Sequence, residues 1–182
     1  MIYLQTERLI VRDPKIEDLD GHHKMLSDEL TLTYWPDIGS TYLEDNRKNL
    51  EAAIAEARSP QRTKFFFTME HKEKKAFLGS VGYMVTETTP VGKMVEVGYA
   101  ISPDHRGYGY TEEAVKAVIE YAFSEGNVYR IYTGCLAENK ASERIMQKCG
   151  MIKEAERKNH TWHNGQMKNR VEYRLLKDEY KF

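Results

Sequence analysis

The stretch Glu96 to Ala114, EVGYAISPDHRGYGYTEEA, decides the fold. An apolar run, Val97 to Ile101, stops at Ser102-Pro103, and a turn bearing two glycines, Arg106-Gly107-Tyr108-Gly109, opens onto a segment with helical spacing. A strand that ends in a glycine loop and resumes as a helix leaves backbone N–H groups without intrahelical partners at the positive end of a helix dipole. Phosphate is held by that combination. The order of elements therefore points to a phosphorylated ligand.

Downstream, Ala114, Val115, Val118, Ile119 and Ala122 recur at the period of a helix with one buried face, ending near Gly126. Arg130 to Leu136 reads as a strand. The segment Val95 to Leu136 is then strand, crossover helix, strand, so its two strands are expected to be parallel neighbours. Asn139 to Lys148 is a second helix stopped by Gly150, and Met151 to Glu156 and Val171 to Leu176 are closing strands. Upstream, Phe65 to Met69 and Leu78 to Thr86 form a hairpin around the charged turn His71 to Lys75. A strand near Arg8 to Arg12 precedes helices at Glu17 to Ser27 and Leu43 to Ala57, with a loop holding Trp35, Pro36 and Gly39 between them. The expected fold is α/β (α+β): one domain over residues 1–182, with a mixed, mostly antiparallel sheet of six to seven strands. Helices cover both faces, and a parallel strand pair flanks the phosphate loop.

The composition fits a chain that builds its own core, with 182 residues, 41% of them hydrophobic, and a formal charge of −1. Acidic and basic residues are mixed throughout, which argues against a nucleic-acid partner. Cys135 and Cys149 have neither CxxC spacing nor the numbers of a disulfide framework, which fits a reducing compartment. Charges at Glu7, Arg8, Arg12 and Asp13 interrupt any apolar leader core, and no stretch reaches membrane-spanning length, so a cytoplasmic protein without a membrane partner is expected. His22-His23 and His160-x-x-His163 lack the accompanying cysteines or carboxylates of a metal site, and no metal is expected. A dinucleotide fingerprint would need a third glycine where Glu112 stands, and no Gly-Lys-Ser/Thr run marks a P-loop.

The opening LQTERLIVR, the segment VGYAISPDHRGYGYTEEA and the later ENKASERIMQKCGM resemble the GNAT superfamily of N-acetyltransferases, in particular its RimJ/RimL-type branch. In that superfamily a (Gln/Arg)-x-x-Gly-x-(Gly/Ala) loop binds the pyrophosphate of acetyl-coenzyme A. The matching positions here are Arg106, Gly109 and Thr111, the last departing from the small residue of the pattern. The resemblance implies an enzyme that transfers acetyl from the acetyl-CoA thioester to a primary amine by direct attack. The resemblance implies as acceptor a protein N-terminal α-amine or a small-molecule amine, and a homodimer is the expectation at the level of the family. The alternative is a CoA- or acyl-CoA-binding module without turnover, consistent with Thr111 and with Met146 standing where many relatives carry a tyrosine acid.

Each step of that reaction has candidates. Gly107, Tyr108, Gly109, Tyr110 and Thr111 offer backbone N–H groups, and Arg106 a guanidinium, to the pyrophosphate. The strand edge through Ile101 and Ser102 offers its backbone to the pantetheine amides. Gly98 within that strand is either a bulge or a packing glycine under a large neighbour. An attacking amine must lose a proton, and Glu96 is the candidate base, its pKa raised by apolar neighbours, with Glu87 and Tyr83 as alternatives. Ser142 is the candidate acid for the leaving thiolate and, with Asn139, a cofactor contact; helix capping by the same pair is the competing reading. Tyr34, Trp35, Tyr83 and Trp162 are candidate walls of the acceptor site.

Overall fold

The computed structural model describes residues 1–181. The chain divides into two compact units, one formed by residues 1–84 and 98–118, the other by 85–97 and 119–182.

The first unit contains β1 (Tyr3–Gln5), β2 (Leu9–Arg12), α1 (Leu19–Leu26), α2 (Glu29–Tyr34), α3 (Leu43–Ala57) and β3 (Lys64–His71). It also holds the leading half of β4 (Phe77–Thr89), the trailing part of β5 (Gly92–Ile101) and the first turns of α4 (Tyr110–Ser124). Its strands are antiparallel in the order β1-β2-β3-β4-β5, with Leu9 opposite His71 and Phe67 opposite Val81. Leu9, Val11, Phe67, Met69, Leu78 and Val81 point inward and are buried, together with Met25, Leu26 and Leu50 from the helices. Each such side chain stabilises the fold by about 1.5–3 kcal/mol. Beneath this core lies a buried ionic cluster. Arg12 donates through Nη1 and Nη2 to Asp18, at 2.9 and 2.7 Å, and through Nε to Glu70 at 2.9 Å. Asp18 also accepts from the Thr68 hydroxyl at 2.8 Å and the Lys15 N–H at 3.0 Å, so Oδ2 takes three donors and Oδ1 one. Burial alone would raise the Asp18 carboxyl, but Arg12, the Lys15 N–H and Thr68 hold it below the usual carboxylate range. The N-terminal strand is pinned in the same way: Ile2 N–H donates to Asp13, and Asp13 pairs with Arg62 at 2.8 Å.

The second unit contains the trailing half of β4, the leading part of β5, the end of α4, β6 (Val128–Leu136), α5 (Lys140–Lys148), β7 (Ile152–His163) and β8 (Gln166–Leu176). Its strands run β4-β5-β6-β8-β7. The pair β5–β6 is parallel, with Val95 opposite Ile131 and Glu96 opposite Tyr132, as the crossover through α4 requires. Val95, Val128, Ile131, Val171 and Leu175 are buried, as are Ile119, Ala122 and Phe123 of α4. The β7–β8 hairpin turns on Asn164 and Gly165, both with left-handed φ (48° and 77°), as a two-residue hairpin loop demands.

Among the described residues there are eight strands where six to seven are expected, the addition being β1, whose three residues pair with Ile10 to Arg12. It also places α2 in what reads as a loop: Asp28 accepts from the Thr31 N–H at 3.1 Å and starts a helix that ends before Trp35. Among the described residues, no helix is long and apolar enough to cross a membrane.

Candidate active site

In the first unit, β5 ends at Ile101, and the buried Ser102 donates its N–H to the Leu78 carbonyl at 2.7 Å while accepting from His105 N–H at 3.0 Å. This short turn aims the chain into Arg106–Gly109. Gly107 and Gly109 have φ of 84° and 80°, which glycine adopts at little cost. The loop thus delivers its backbone to the start of α4, whose first N–H groups lie outside the helical ladder; the Glu113 N–H is accepted by the Gly109 carbonyl at 3.2 Å. Thr111 is buried, so its branched side chain is accommodated within the packing of the first turn. Tyr108 is exposed and stacks on Tyr110, with ring centroids 5.7 Å apart.

The cations at this loop are already engaged. The Arg106 guanidinium pairs with Asp28, the residue that caps α2. Burial would raise the Asp28 carboxyl, but Arg106 and the Thr31 N–H hold it below its ordinary value. Lys24 pairs with Asp104 at 2.5 Å. Glu113, in the first turn of α4, accepts from the Thr6 hydroxyl at 2.5 Å, the Arg8 N–H at 2.8 Å and the Arg8 Nε at 2.7 Å. Burial would raise the Glu113 carboxyl, and these three donors hold it below the usual range. Arg8 also donates from Nη1 to the Tyr108 carbonyl at 2.9 Å and lies 4.7 Å over the Tyr110 ring.

Of the residues expected to meet the acceptor, Trp35 lies within the first unit with its ring 3.4 Å from where a Cβ on Gly98 would stand, so Gly98 is a packing glycine under a large neighbour. Tyr34 is half-buried at the end of α2. Tyr83 corrects an expectation: it is fully buried and stacks on Phe65 at 4.7 Å, which makes it a core residue rather than an accessible wall or base.

In the second unit, Glu96 lines a cavity of about 450 Å³ together with Glu87, Tyr132 and Arg170. Its surroundings are ionic, not the apolar ones expected. The Glu96 side chain is 39% exposed and lies 4.0 Å from the Arg170 guanidinium, which is equally distant from Glu172. Asn139 caps α5, its side chain accepting from the Ser142 N–H at 3.1 Å. The Cys135 thiol donates to the Asn139 carbonyl at 3.7 Å, and burial pushes it above its ordinary pKa. The capping reading of Asn139 is therefore realised, with Ser142 on the same turn. Met146 is buried. Trp162 is exposed at the tip of β7, whereas the adjacent His163 is buried. No group of three or more metal-ligating side chains occurs among the described residues.

The sequence model described as "Acetyltransferase (GNAT) domain" matches residues 8–152. The chain belongs to the GNAT acetyltransferase family. It is 27% identical over 153 residues, 84% of each chain, to the uncharacterized N-acetyltransferase YnaD of Bacillus subtilis (strain 168). Its fold is shared with the ribosomal-protein-S5-alanine acetyltransferase of Vibrio fischeri, with a TM-score of 0.82 and 22% identity over the full length of both chains. It is shared also with the spermidine N-acetyltransferase of Vibrio cholerae solved with CoA and spermine, with a TM-score of 0.80 and 19% identity over 96% of this chain and 98% of that one.

Sequence reasoning placed the GNAT loop but missed the carboxylates that engage its cations. Asp28 precedes a short helix with an acceptor side chain, which is a capping signal, yet nothing local shows that it meets Arg106, 78 residues away. Likewise, Thr6 and Arg8 belong to the family-like opening, but their partner Glu113 lies more than 100 residues on.

Proposed function

We propose that this chain is an acetyl-CoA-dependent N-acetyltransferase acting by direct attack of a primary amine on the thioester. The observation that carries the reading is the pair of left-handed glycines, Gly107 and Gly109, opening onto α4 in a chain of this family. In the first unit, backbone N–H groups from Gly107 to Thr111 hold the pyrophosphate, with Ile101 and Ser102 at the strand end beside them. In the second, the Glu96 carboxylate receives the amine proton directly or through a water, and the Ser142 hydroxyl supports the departing thiolate. The nitrogen–carbon bond forms as the carbon–sulfur bond breaks, so a proton leaves nitrogen and one returns to sulfur. No covalent acetyl-enzyme is invoked, and positioning supplies most of the rate.

The acceptor is a protein N-terminal amine or a small-molecule amine. The RimJ/RimL-like opening supports the first, and the fold shared with a polyamine enzyme keeps the second open. We read residues 1–182 as one catalytic domain, because β4, β5 and α4 each contribute residues to both units. The test is free-thiol release from acetyl-CoA against N-terminal peptides, polyamines, amino acids and aminoglycosides, with CoA-induced melting shifts in parallel. Thiol release with one acceptor class supports the enzyme and names its substrate. A melting shift without release by any amine favours a CoA-binding module, and the absence of both responses overturns the reading of the loop.

A further inference from the structure

We infer that Arg8, the first residue of the family match and the one immediately before β2, is a phosphate-binding residue of the Arg106–Thr111 loop; this rests on the acetyl-CoA reading above. Three observations meet there. Arg8 Nε is held by Glu113 and Nη1 by the Tyr108 carbonyl, so the guanidinium is fixed at both ends of the loop. The third nitrogen, Nη2, has no hydrogen-bond partner among the described residues and lies 3.5 Å from where a Cβ on Gly109 would stand. The side chain is 41% exposed, so this nitrogen is reachable from solvent. Arg106, which the sequence pattern assigns to the phosphates, is instead committed to Asp28.

The arrangement also solves an electrostatic difficulty. Two carboxylates, Glu112 and Glu113, stand in the first turn of α4, where a polyanion is to be bound. The Thr6 hydroxyl and the Arg8 N–H and Nε take up both oxygens of Glu113, which turns its charge into the anchor of the guanidinium. By donating to the Tyr108 carbonyl, Arg8 also uses the one acceptor group of that residue's peptide, so the Tyr108 oxygen is not left to face the anion. A fork with two nitrogens fixed and the third open presents a preorganised donor, which lysine with its single mobile ammonium does not reproduce.

The experiment compares donors with and without phosphate. In Arg8→Ala, the Kd for CoA measured by calorimetry should rise about tenfold. The kcat/KM for acetyl-pantetheine, which carries no phosphate, should stay within about twofold of wild type. Arg8→Lys should recover only part of the CoA affinity, and Arg47→Ala, a charge change on the exposed face of α3, should leave it unchanged. Should Arg8→Ala lack a cooperative melt, the neutral pair Arg8→Gln with Glu113→Gln carries the same comparison. Equal CoA affinity in the variant, or an equal proportional loss with both donors, overturns the role given to Arg8. A wild-type protein that fails to bind CoA overturns the acetyl-CoA reading itself, whereas a wild type that binds while the variant binds as tightly overturns only this inference.

Discussion

The glycine loop of the first unit and the charged cavity of the second treat their ions in opposite ways. At the loop, Arg8, Lys24 and Arg106 each have a carboxylate partner at hydrogen-bonding distance before any ligand arrives. In the cavity, Arg130–Glu154 and Arg157–Glu172 are closed at 2.5 and 2.8 Å, but Arg170 stands 4.0 Å from both Glu96 and Glu172, and Glu87 has no ion pair among the described residues. The first arrangement fixes geometry and, under the function proposed above, would leave neutral backbone N–H groups to do most of the phosphate binding. The second leaves two carboxylates, Glu87 and Glu96, beside open space, and under the function proposed above a cationic acceptor would displace water there and re-pair the charges.

The contrast can be broken most sharply at Glu96. Glu96→Gln should lower kcat at least about a hundredfold while CoA affinity stays within roughly twofold, because the variant keeps shape and loses only the proton acceptor. An unaltered kcat would remove Glu96 from the mechanism and leave Glu87, which unlike Glu154 and Glu172 has no ion pair among the described residues, as the next carboxylate of that cavity to test. Next in size is Gly109→Ala. A Cβ there meets nothing closer than Arg8 Nη2 at 3.5 Å, so the penalty is backbone strain at φ 80° and not a clash. It should cost about 1–2 kcal/mol, read as a drop in Tm of about 2–4 °C per kcal/mol together with weaker CoA binding. A variant that melts and binds as wild type would show that the left-handed loop is not what the fold depends on.

Acid should separate the groups further. His22 is buried against Asn49, its Nε2 3.0 Å from the amide oxygen, and burial lowers its pKa. The unfolded chain therefore takes up that proton first, and stability should fall as pH drops below about 6.5. The depressed carboxyls of Asp18, Asp28 and Glu113 act in a lower window: their stabilisation is fully present above the ordinary carboxylate range and is lost as pH falls below that range through their depressed native values. Melting curves of His22→Gln should lack the upper step and keep the lower one; retention of both would place the upper step on another group. The smallest effect is expected from Asp28→Asn, which keeps a capping acceptor for α2 but releases Arg106. CoA affinity should rise about threefold, a modest gain for a partly exposed pair. No change would mean that Arg106 does not reach the phosphates.

What the chain discloses by itself follows from where periodicity survives. Leu43–Ala57 reads as a helix and is one, and the strand, loop, helix, strand run from β5 to β6 follows from apolar spacing and two glycines. The long β7 defeats the same reasoning, because nearly all of its residues are exposed and no apolar alternation exists to be seen. Its true extent was signalled instead by Asn164-Gly165, the strongest local mark of a tight hairpin. At the site, the loop is legible because its chemistry is carried by neighbours in sequence. Tyr83 could not be told from an accessible tyrosine, since stacking on Phe65 depends on strand register. Partners such as Asp28 and Glu113 are invisible for a similar reason: long-range ion pairs have no spacing rule.

Both sulfhydryl groups of the protein, Cys135 and Cys149, are enclosed, and the first is additionally disfavoured as a thiolate by its burial. A disulfide dye used to follow CoA release should therefore report the product alone, with a flat blank from the native enzyme. The same dye added to unfolded chain should count two sulfurs per molecule, so one reagent serves both as the detector of turnover and as the meter of how much of the preparation is folded.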